Sequence, residues 1–583
     1  MSLSPTPLTR RQFMFRSVAA SAISYTAYSD SPEYAEFQHR QSQNTFPFQH
    51  GVASGDPLTD RVILWTRITP PRSDFSPLPD YPIHYRWRIA LDAQFTQLVN
   101  QGHGSTDSSR DFCVKVDASG LAPGQSYYYV FEALGQMSDI GRTKTLPQGK
   151  VEHLRLAFTS CSNYARGYFN VYKEIAKRAD LDVVLHLGDY IYEYDNIEQS
   201  LTTGRLHQPA HETRTLQDYR LRHACYKTDK DLQEVHRQHP FIVIWDDHEV
   251  ANNAWGALDN LGTTDGGADN HQQHEGDWRQ RLSAAVRAYM EWMPIREQFN
   301  QQGQHQVYRR FRFGDLLDLN MLDTRLAGRD VQSDDPDIRD DQNRTLLGYE
   351  QEHWLENNLA QAQQDGVIWK LLGQQVMMAQ FQLSNSPLNH DQWDGYPAAR
   401  QRLFDHIRQA HIDNFVVLTG DIHSSWALEL KDDPFNESSG EAFGVELVTP
   451  AVTSPGIESQ TRAALAAASL ESLLPHLNFV EFFHRGYVLL DIKPERIQAE
   501  WWVVDTVESP RYASDCLRAL TIPAGKSQLQ PVADISRAKS SAPLAPAFSS
   551  SFAYLRQWRG GRITKPTATQ MIGNELLLSS VSR

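Results

Sequence analysis

The chain has 583 residues, 40% of them hydrophobic and 22% charged, with 33 Gly and 29 Pro. This length and composition exclude a small disulfide scaffold, a collagen-like chain and wholesale disorder, and they allow two to four folded domains. Asp plus Glu total 71 against 56 Lys plus Arg, a net charge of −15 that argues against extended nucleic acid as a partner. The acidic surplus fits either a solvated surface or carboxylates gathered around hard cations.

Residues 1–45 carry the features of a targeting segment. Arg10 and Arg11 are followed by two phenylalanines and an Ala/Ser-rich stretch, which resembles a bacterial twin-arginine export signal. An ordinary amphipathic helix is the alternative, because Arg16 interrupts the apolar run. We therefore predict export to the periplasm or the medium by the twin-arginine machinery. No later stretch reaches the ~20 uncharged apolar residues that a bilayer crossing requires, so we predict no membrane span.

Residues 46–148 are predicted to form a small β-sandwich domain. Short alternating segments such as 61–67, 83–90 and 126–133 are separated by turns rich in Gly, Pro and Ser. Strands of this length and spacing, with no helical period between them, are typical of a fibronectin- or immunoglobulin-like module. Such an architecture carries no information about function.

Residues 150–525 are predicted to form an α/β domain. Apolar runs alternate with helical spacing, for instance at 168–179, and the segments 487–492 and 497–504 predict a β-hairpin near the end. Five apolar runs end abruptly in polar clusters, which begin at Ser160, Gly188, Asp246, Asp323 and Gly420. Continuous apolar runs are typical of fully buried strands, and ligands bind at the carboxyl ends of such strands. The five clusters therefore mark one candidate site.

The four cysteines are too few, and too irregularly spaced, for a disulfide framework or a C-x-x-C zinc site. They are Cys113, Cys161, Cys225 and Cys516. Cys161 follows an apolar run inside a polar turn, where it is either a small buried residue or a thiolate ligand. If it is a ligand, at least one of the other three is unpaired within the chain.

The polar clusters together contain the donors of a mixed metal site. They offer carboxylates, imidazoles, phenols and a thiol, from Asp189, Asp247, Asp421, His248, His423, Tyr190, Tyr192 and Cys161. So many groups at one sheet edge would repel one another or stay unsatisfied without cations. Thiolate and phenolate suit high-valent iron, whereas carboxylate and amide oxygens suit Ca²⁺. A hydroxide held between two such cations is a strong nucleophile that could attack phosphorus.

The motifs G-D-Y-I-Y-E at 188–193, D-D-H-E at 246–249 and G-D-I-H at 420–423 resemble those of the calcineurin-like metallophosphoesterases in their PhoD-type alkaline phosphatase form. Supporting stretches lie at 48–57, 322–325, 448–455 and 484–487, so the similarity runs in order from about 46 to 520. The resemblance implies a central β-sheet sandwich flanked by helices, preceded by the small all-β domain. In this family a C-terminal segment can cover the active site, so the weakly patterned tail 526–583 is a candidate lid.

The resemblance also implies roles for individual residues. Fe³⁺ would be held by Cys161, Asp189, Tyr192 and His423, and Ca²⁺ by Asp189, Asp247 and Asp421 with Asn253. His248 would stabilise the transition state or protonate the leaving oxygen, and Asp189 would bridge the metals. Gln375 is a weaker ligand candidate. Arg166 and Arg325 are candidate phosphate contacts, with pairing to a neighbouring carboxylate as the alternative for each.

The function predicted from these residues is an exported metal-dependent phosphoesterase. It would hydrolyse phosphate monoesters and diesters by attack of a metal-bound oxygen, and it would release phosphate for scavenging. A phospholipase-D-like enzyme or a nucleotide phosphodiesterase is the alternative within the same class. An extracellular binding protein with a structural metal site is the alternative from another class, although a structural calcium site has no use for a thiolate.

Overall fold

The computed structural model describes residues 46–547 except 71–80, 258–265, 301–302, 384–385, 437 and 439. The predicted export signal at 1–45 lies outside the described residues. The strands of the N-terminal region are β1 (Val52–Gly55), β2 (Arg61–Arg67), β3 (Ile83–Ala90), β4 (Leu98–Thr106), β5 (Cys113–Ser119), β6 (Ser126–Ala133), β7 (Gln136–Met137) and β8 (Gly141–Lys144).

These strands form a sandwich whose two layers have different partners. Strands β3, β4, β6, β7 and β8 make a separate antiparallel sheet, whereas β1, β2 and β5 belong to a larger sheet that continues into the rest of the chain. Trp87 and Phe131 of the first layer share a buried cluster with Val62 and Leu64 of the second. The N-terminal region is thus built on the edge of the large sheet.

The remaining strands and the helices make up the rest of the described chain. The strands are β9 (Leu154–Thr159), β10 (Val183–His186), β11 (Pro240–Val243), β12 (Gly256–Ala257), β13 (Arg309–Phe313), β14 (Leu317–Met321), β15 (Ala327–Arg329), β16 (Trp369–Gln374), β17 (Gln382–Leu383), β18 (Ser386–Pro387), β19 (Phe415–Thr419), β20 (Ser425–Leu430), β21 (Gly444–Val448), β22 (Leu477–Glu481), β23 (Arg485–Lys493), β24 (Arg496–Val504), β25 (Ser514–Pro523) and β26 (Gln530–Pro531). The helices are α1 (Asn170–Ala176), α2 (Glu198–Thr203), α3 (Leu216–Tyr226), α4 (Lys230–Gln238), α5 (Trp278–Trp292), α6 (Pro336–Arg339), α7 (Tyr349–Gln364), α8 (Pro397–Gln409) and α9 (Gln460–Leu473).

Two large sheets carry the architecture of the described residues. One has the order β26-β25-β24-β23-β9-β10-β11-β1-β2-β5, and the other β13-β14-β16-β19-β21-β20-β22. We call them the ten-stranded and the seven-stranded sheet. Strands β9, β10, β11 and β1 run parallel in the first, as do β14, β16, β19 and β21 in the second. The carboxyl ends of these strands therefore lie at common edges.

The two sheets share one hydrophobic core. Phe158 and Leu490 of the ten-stranded sheet lie in the same buried cluster as Val416 and Leu447 of the seven-stranded sheet. Burying a side chain of this kind contributes roughly 1.5–3 kcal/mol. Helices α7 and α8 contribute to a second cluster with seven-stranded-sheet residues such as Val417. Both faces of the parallel strands are covered, which explains their uninterrupted apolar sequences.

The described part of the C-terminal tail lies far from the parallel strands' carboxyl ends. Arg155 Nη1, at the start of β9, donates to the carbonyl of Arg537 over 2.6 Å, and Lys539 pairs with Asp182 just before β10. Tyr128 then donates to the carbonyl of Pro543 over 2.6 Å. Residues 526–547 therefore strap the amino ends of the strands to the N-terminal region, and the lid prediction for 548–583 lies outside the described residues.

Two further features bear on the predictions about disulfides and membrane spans. Cys113, Cys161, Cys225 and Cys516 are all unpaired. Within the part of the chain that the structure describes, no helix is both long and apolar enough to cross a membrane.

Candidate metal centre

The predicted ligands lie where parallel strands end, and several hold a strained backbone. Cys161 follows β9, Asp189 follows β10, and Asp421 and His423 follow β19. Their φ angles are 61°, 56°, 59° and 54°, and that of Asn253 is also 54°. For a residue other than Gly this left-handed region costs of order 1–3 kcal/mol, so it persists where the surroundings enforce it, as at functional sites.

Two glycines let the strand ends approach closely. A Cβ at Gly188, where φ is +100°, would lie 2.3 Å from the Cβ of Asp246 at the end of β11. A Cβ at Gly420 would lie 2.8 Å from the Oγ of Ser160 in the other sheet. Only Gly therefore fits at these positions, and the close approach brings side chains from both sheets together.

The first group of donors contains Cys161, Asp189 and His423, whose ligand atoms lie within 4.8 Å of one another. Tyr192 completes it, since its hydroxyl donates to Asp189 Oδ2 over 2.7 Å and lies 3.1 Å from His423 Nε2. Ser454 Oγ lies 2.7 Å from the same hydroxyl. The four side chains that the family resemblance assigns to iron are thus adjacent.

The second group contains Asp189, Asp247 and His248. The Nδ1 of His248 lies 2.7 Å from Glu193 Oε2, and Glu193 is fully buried. The His248 ring also lies over Tyr192, with 4.2 Å between the ring centroids. His248 is therefore fixed by Glu193 and Tyr192, which leaves its Nε2 for a ligand or a substrate.

The third group contains Asp246, Asp247 and Asp421, with ligand atoms again within 4.8 Å. Asp246 and Asp247 come from the ten-stranded sheet and Asp421 from the seven-stranded sheet. The backbone N–H of Asn253 donates to Asp247 Oδ2 over 2.6 Å, while its side-chain amide donates to Asp269. Asn253 thus lies beside this group.

The electrostatics of the centre reflect burial and crowding of like charges. Burial and then the Asp189 carboxylate raise the pKa of both the Cys161 thiol and the Tyr192 hydroxyl. Burial raises the pKa of Asp421 to about 6 and lowers that of His423 to about 3. Burial alone would lower the pKa of His248, but the Glu193 and Asp247 carboxylates raise it. These pKa shifts favour the protonated thiol and phenol, so binding a metal ion through them would release protons.

Three buried carboxylate oxygens indicate whether cations fit the candidate metal centre. Asp189 Oδ1, Asp246 Oδ2 and Asp247 Oδ1 have no hydrogen-bond partner among the described residues. Leaving a buried charge-bearing oxygen unpaired is costly, and a bound cation removes that cost. The donor set and its unsatisfied oxygens therefore fit a centre with more than one metal ion.

The structure shows the partners of two further predicted residues. Arg325 is fully buried and its nitrogens face carboxylates, so it forms internal ion pairs, the alternative given for it above. Gln375 is engaged in its own loop, because its Oε1 accepts from Thr324 and its Nε2 donates to the carbonyl of Leu322. Arg166 lines an open depression of about 440 Å³, where its Nη1 donates to Gln199 Oε1 over 3.3 Å.

Three site residues escape prediction from the sequence. Asp246 has an unsatisfied oxygen and precedes the predicted ligand Asp247. Glu193 orients His248. Glu249 accepts from the backbone N–H groups of Asp189 at 3.0 Å, Tyr190 at 2.5 Å and Asp246 at 2.7 Å, and so ties two strand ends together. Each lies inside a motif already singled out, but strand-end position alone does not separate ligands from their supports.

Comparisons with known proteins agree on one family. The model of the PhoD-like phosphatases matches residues 156–501, and that of their N-terminal domain matches residues 33–147. Alkaline phosphatase D of Bacillus subtilis is 40% identical over 480 residues, which cover 80% of this chain and 79% of that protein. A solved structure of PhoD superposes with a TM-score of 0.74 at 35% identity, over 88% of this chain and 98% of the other. The predicted family and fold class are confirmed.

Proposed function

Since the chain belongs to the PhoD-like phosphatase family and is a phosphoric ester hydrolase, we propose that it is exported and releases phosphate from small phosphorylated compounds with the help of bound metal ions. The unsatisfied oxygens of Asp189, Asp246 and Asp247 carry the proposal, because they gather at one edge with a thiol, a phenol and two imidazoles. Monoesters are the proposed main substrates and diesters further ones. A nucleotide phosphodiesterase or phospholipase-D-like activity is the alternative.

The donor chemistry supports two kinds of cation. Cys161, Asp189, Tyr192 and His423 would hold Fe³⁺, because a thiolate and a phenolate favour a high-valent ion. Asp189, Asp247 and Asp421, with Asn253, would hold Ca²⁺, and we add Asp246 on the strength of its unpaired oxygen. Bound there, the cations would neutralise charge on the phosphoryl oxygens and lower the pKa of a water molecule.

The chain's own groups have distinct tasks in the reaction. Asp189 belongs to both the first and the second group of donors, so it can share its two oxygens between them. His248 is positioned to give a proton to the leaving oxygen through Nε2, since Glu193 holds Nδ1 and the surrounding carboxylates favour the protonated ring. Arg166 forms no ion pair within the described residues and lines an open depression, and it remains the proposed phosphate contact.

The test combines metal analysis with a single substitution. Protein purified without chelator is analysed for iron and calcium, and the Asp189→Asn variant is compared with Asp340→Asn, whose carboxylate is half exposed and far from the centre in sequence. We expect Asp189→Asn to lose metal and to lose more turnover of p-nitrophenyl phosphate than the about 10–100-fold typical of outer-shell substitutions. Full turnover by a folded Asp189→Asn protein would refute the proposal.

Two further measurements address the substrate and the iron. Initial rates on p-nitrophenyl phosphate and on its bis-ester separate a monoesterase from a diesterase. Iron bound by Cys161 and Tyr192 should give a visible charge-transfer band that disappears on reduction. Colourless, iron-free protein that still hydrolyses phosphate esters would contradict the metal assignment and leave the reaction class in place.

Export is proposed from the arginine pair at positions 10 and 11. Replacing both with Lys should keep the enzyme in the cytoplasm of a bacterial host, as measured by phosphatase activity in separated cell fractions. Equal activity outside the cytoplasm with and without the pair would contradict twin-arginine export.

A further inference from the structure

Arg325 directs its nitrogens to three different carboxylates. Nε lies 2.5 Å from Asp246 Oδ1, Nη1 lies 2.7 Å from Asp391 Oδ2, and Nη2 lies 2.9 Å from Asp421 Oδ1. A fourth carboxylate oxygen, Asp247 Oδ1, lies 3.6 Å from Nη2. The side chain has no solvent exposure, so these contacts are made away from water.

These contacts connect the two large sheets at the candidate centre. Asp246 follows β11 of the ten-stranded sheet, whereas Asp421 follows β19 and Arg325 follows β14 of the seven-stranded sheet. Arg325 occupies only one oxygen of Asp246, and the other oxygen has no hydrogen-bond partner in the described chain. The guanidinium thus holds the third group of donors in place while an oxygen stays free for a cation.

The position of Arg325 is itself fixed by its loop. Thr324, the preceding residue, donates through both its N–H and its hydroxyl to Gln375 Oε1, over 3.1 and 2.5 Å. The N–H of Arg325 donates to Asp323 Oδ1 over 2.9 Å. Asp391 also pairs with Arg329 at 2.5 Å, which braces the third contact of Arg325. The planar fork is therefore held in one orientation.

We infer that Arg325 is a positioning residue that sets the spacing between Asp246 on one sheet and Asp421 on the other, and so preorganises the cation site that they share with Asp247. The inference rests on the proposed metal centre. Lys cannot replace Arg in this role, because an ammonium is a point charge on a flexible stem and cannot address three carboxylates in one plane.

The test measures Ca²⁺ binding by calorimetric titration of full-length protein from which metal has been removed with chelator. We expect Arg325→Lys to weaken Ca²⁺ binding about 10–100-fold, the usual effect of losing a group that orients metal ligands. Arg155→Lys is the matched control, since Arg155 is similarly buried and pairs with Asp180 and Asp491 at the amino end of β9, away from the three ligands. It should bind Ca²⁺ within about threefold of the parent.

Each outcome of the titration decides the inference. Unchanged binding by Arg325→Lys would overturn it. Tighter binding by Arg325→Gln would also overturn it, because the guanidinium would then act mainly by repelling the cation. If neither Arg325 variant folds, as judged by circular dichroism, Asp391→Asn is titrated instead, because it removes one of the anchors of Arg325. Ca²⁺ binding by Asp391→Asn equal to that of the parent would contradict a positioning role for Arg325. If the parent protein itself does not bind Ca²⁺, the proposed calcium site and this inference are both overturned. If the parent and the Arg325 variants bind Ca²⁺ equally, only the inference about Arg325 is overturned.

Discussion

A buried lysine next to the metal-binding loop should make the free energy of unfolding increase with pH above about 7. Lys227 follows α3, is 2% exposed, and donates to the Tyr190 hydroxyl over 2.9 Å, while its Nζ lies 4.6 Å from the centre of the Trp65 ring. No carboxylate forms an ion pair with it in the described ranges. Burial lowers the pKa of Lys227 from 10.5 to about 7.

The sign of the effect follows from proton binding in the two states. Above pH ~7 the folded protein holds Lys227 neutral, whereas the unfolded chain keeps it protonated up to a pKa of about 10.4. The unfolded state then binds one more proton, so the free energy of unfolding rises by about 1.4 kcal/mol per pH unit. The gain shrinks as the pH falls from about 10.4 toward 7 and is absent below about 7, where both states bind the proton. From pH 7.5 to 9.5 the gain is about 2.7 kcal/mol.

The assay compares the parent protein with Lys227→Met, which keeps the length and packing of the stem. Free energies of unfolding in urea are measured at intervals between pH 6 and 9.5. The parent should gain stability relative to Lys227→Met above pH ~7 and show a constant difference below it. Lys150→Met, at an exposed position, is the control and should show no such pH dependence. A constant difference between parent and Lys227→Met over the whole range would mean that Lys227 stays charged in the folded protein, and the reasoning would be wrong.

Two further predictions concern the support of His248 and the tail. Glu193→Gln should lower kcat for p-nitrophenyl phosphate about 10–100-fold with little change in KM, because the imidazole loses its orienting carboxylate, and an unchanged kcat would contradict that role. Removal of residues 526–583 should lower the midpoint of thermal unfolding more than removal of 548–583 alone, because only the longer deletion also removes the contacts of Arg537, Lys539 and Pro543. Equal midpoints for the two truncated proteins would show that the strap adds no stability.

Much of the fold could be predicted from the sequence, because fully buried strands need continuous runs of apolar residues. The helix predicted within 168–179 is present as α1, and the predicted hairpin is present as β23 and β24. The joining of β1, β2 and β5 to the large sheet was not predictable in this way, since alternation shows that a strand has a buried face but not which strand pairs with it. The tail is a second example. Its contacts are made largely by backbone carbonyls, as at Arg537 and Pro543, and these leave no pattern in the side chains.

At the candidate site, too, the sequence predicts where a side chain lies but not which group it contacts. Polar clusters after apolar runs place Cys161, Asp189 and Asp421 at one edge, because carboxyl ends of parallel strands coincide. They do not reveal that Arg325 faces inward, since an Arg after a strand could equally meet phosphate or carboxylate. The choice depends on Asp391, which comes from a loop 66 residues later.

The strand ends also explain why an acidic protein can hold so many carboxylates in one place. Left-handed backbone at five predicted ligands and oxygens without hydrogen-bond partners on three aspartates are both unfavourable on their own. Arg325 and His248 supply the positive charge that the structure provides near these aspartates, and they leave specific oxygens unsatisfied. Any cation that binds the folded state but not the unfolded chain stabilises it in proportion to its occupancy. Strain and charge at this edge are therefore costs that metal binding offsets, and the same binding would reverse the local field so that a phosphate ester can approach a protein of net charge −15.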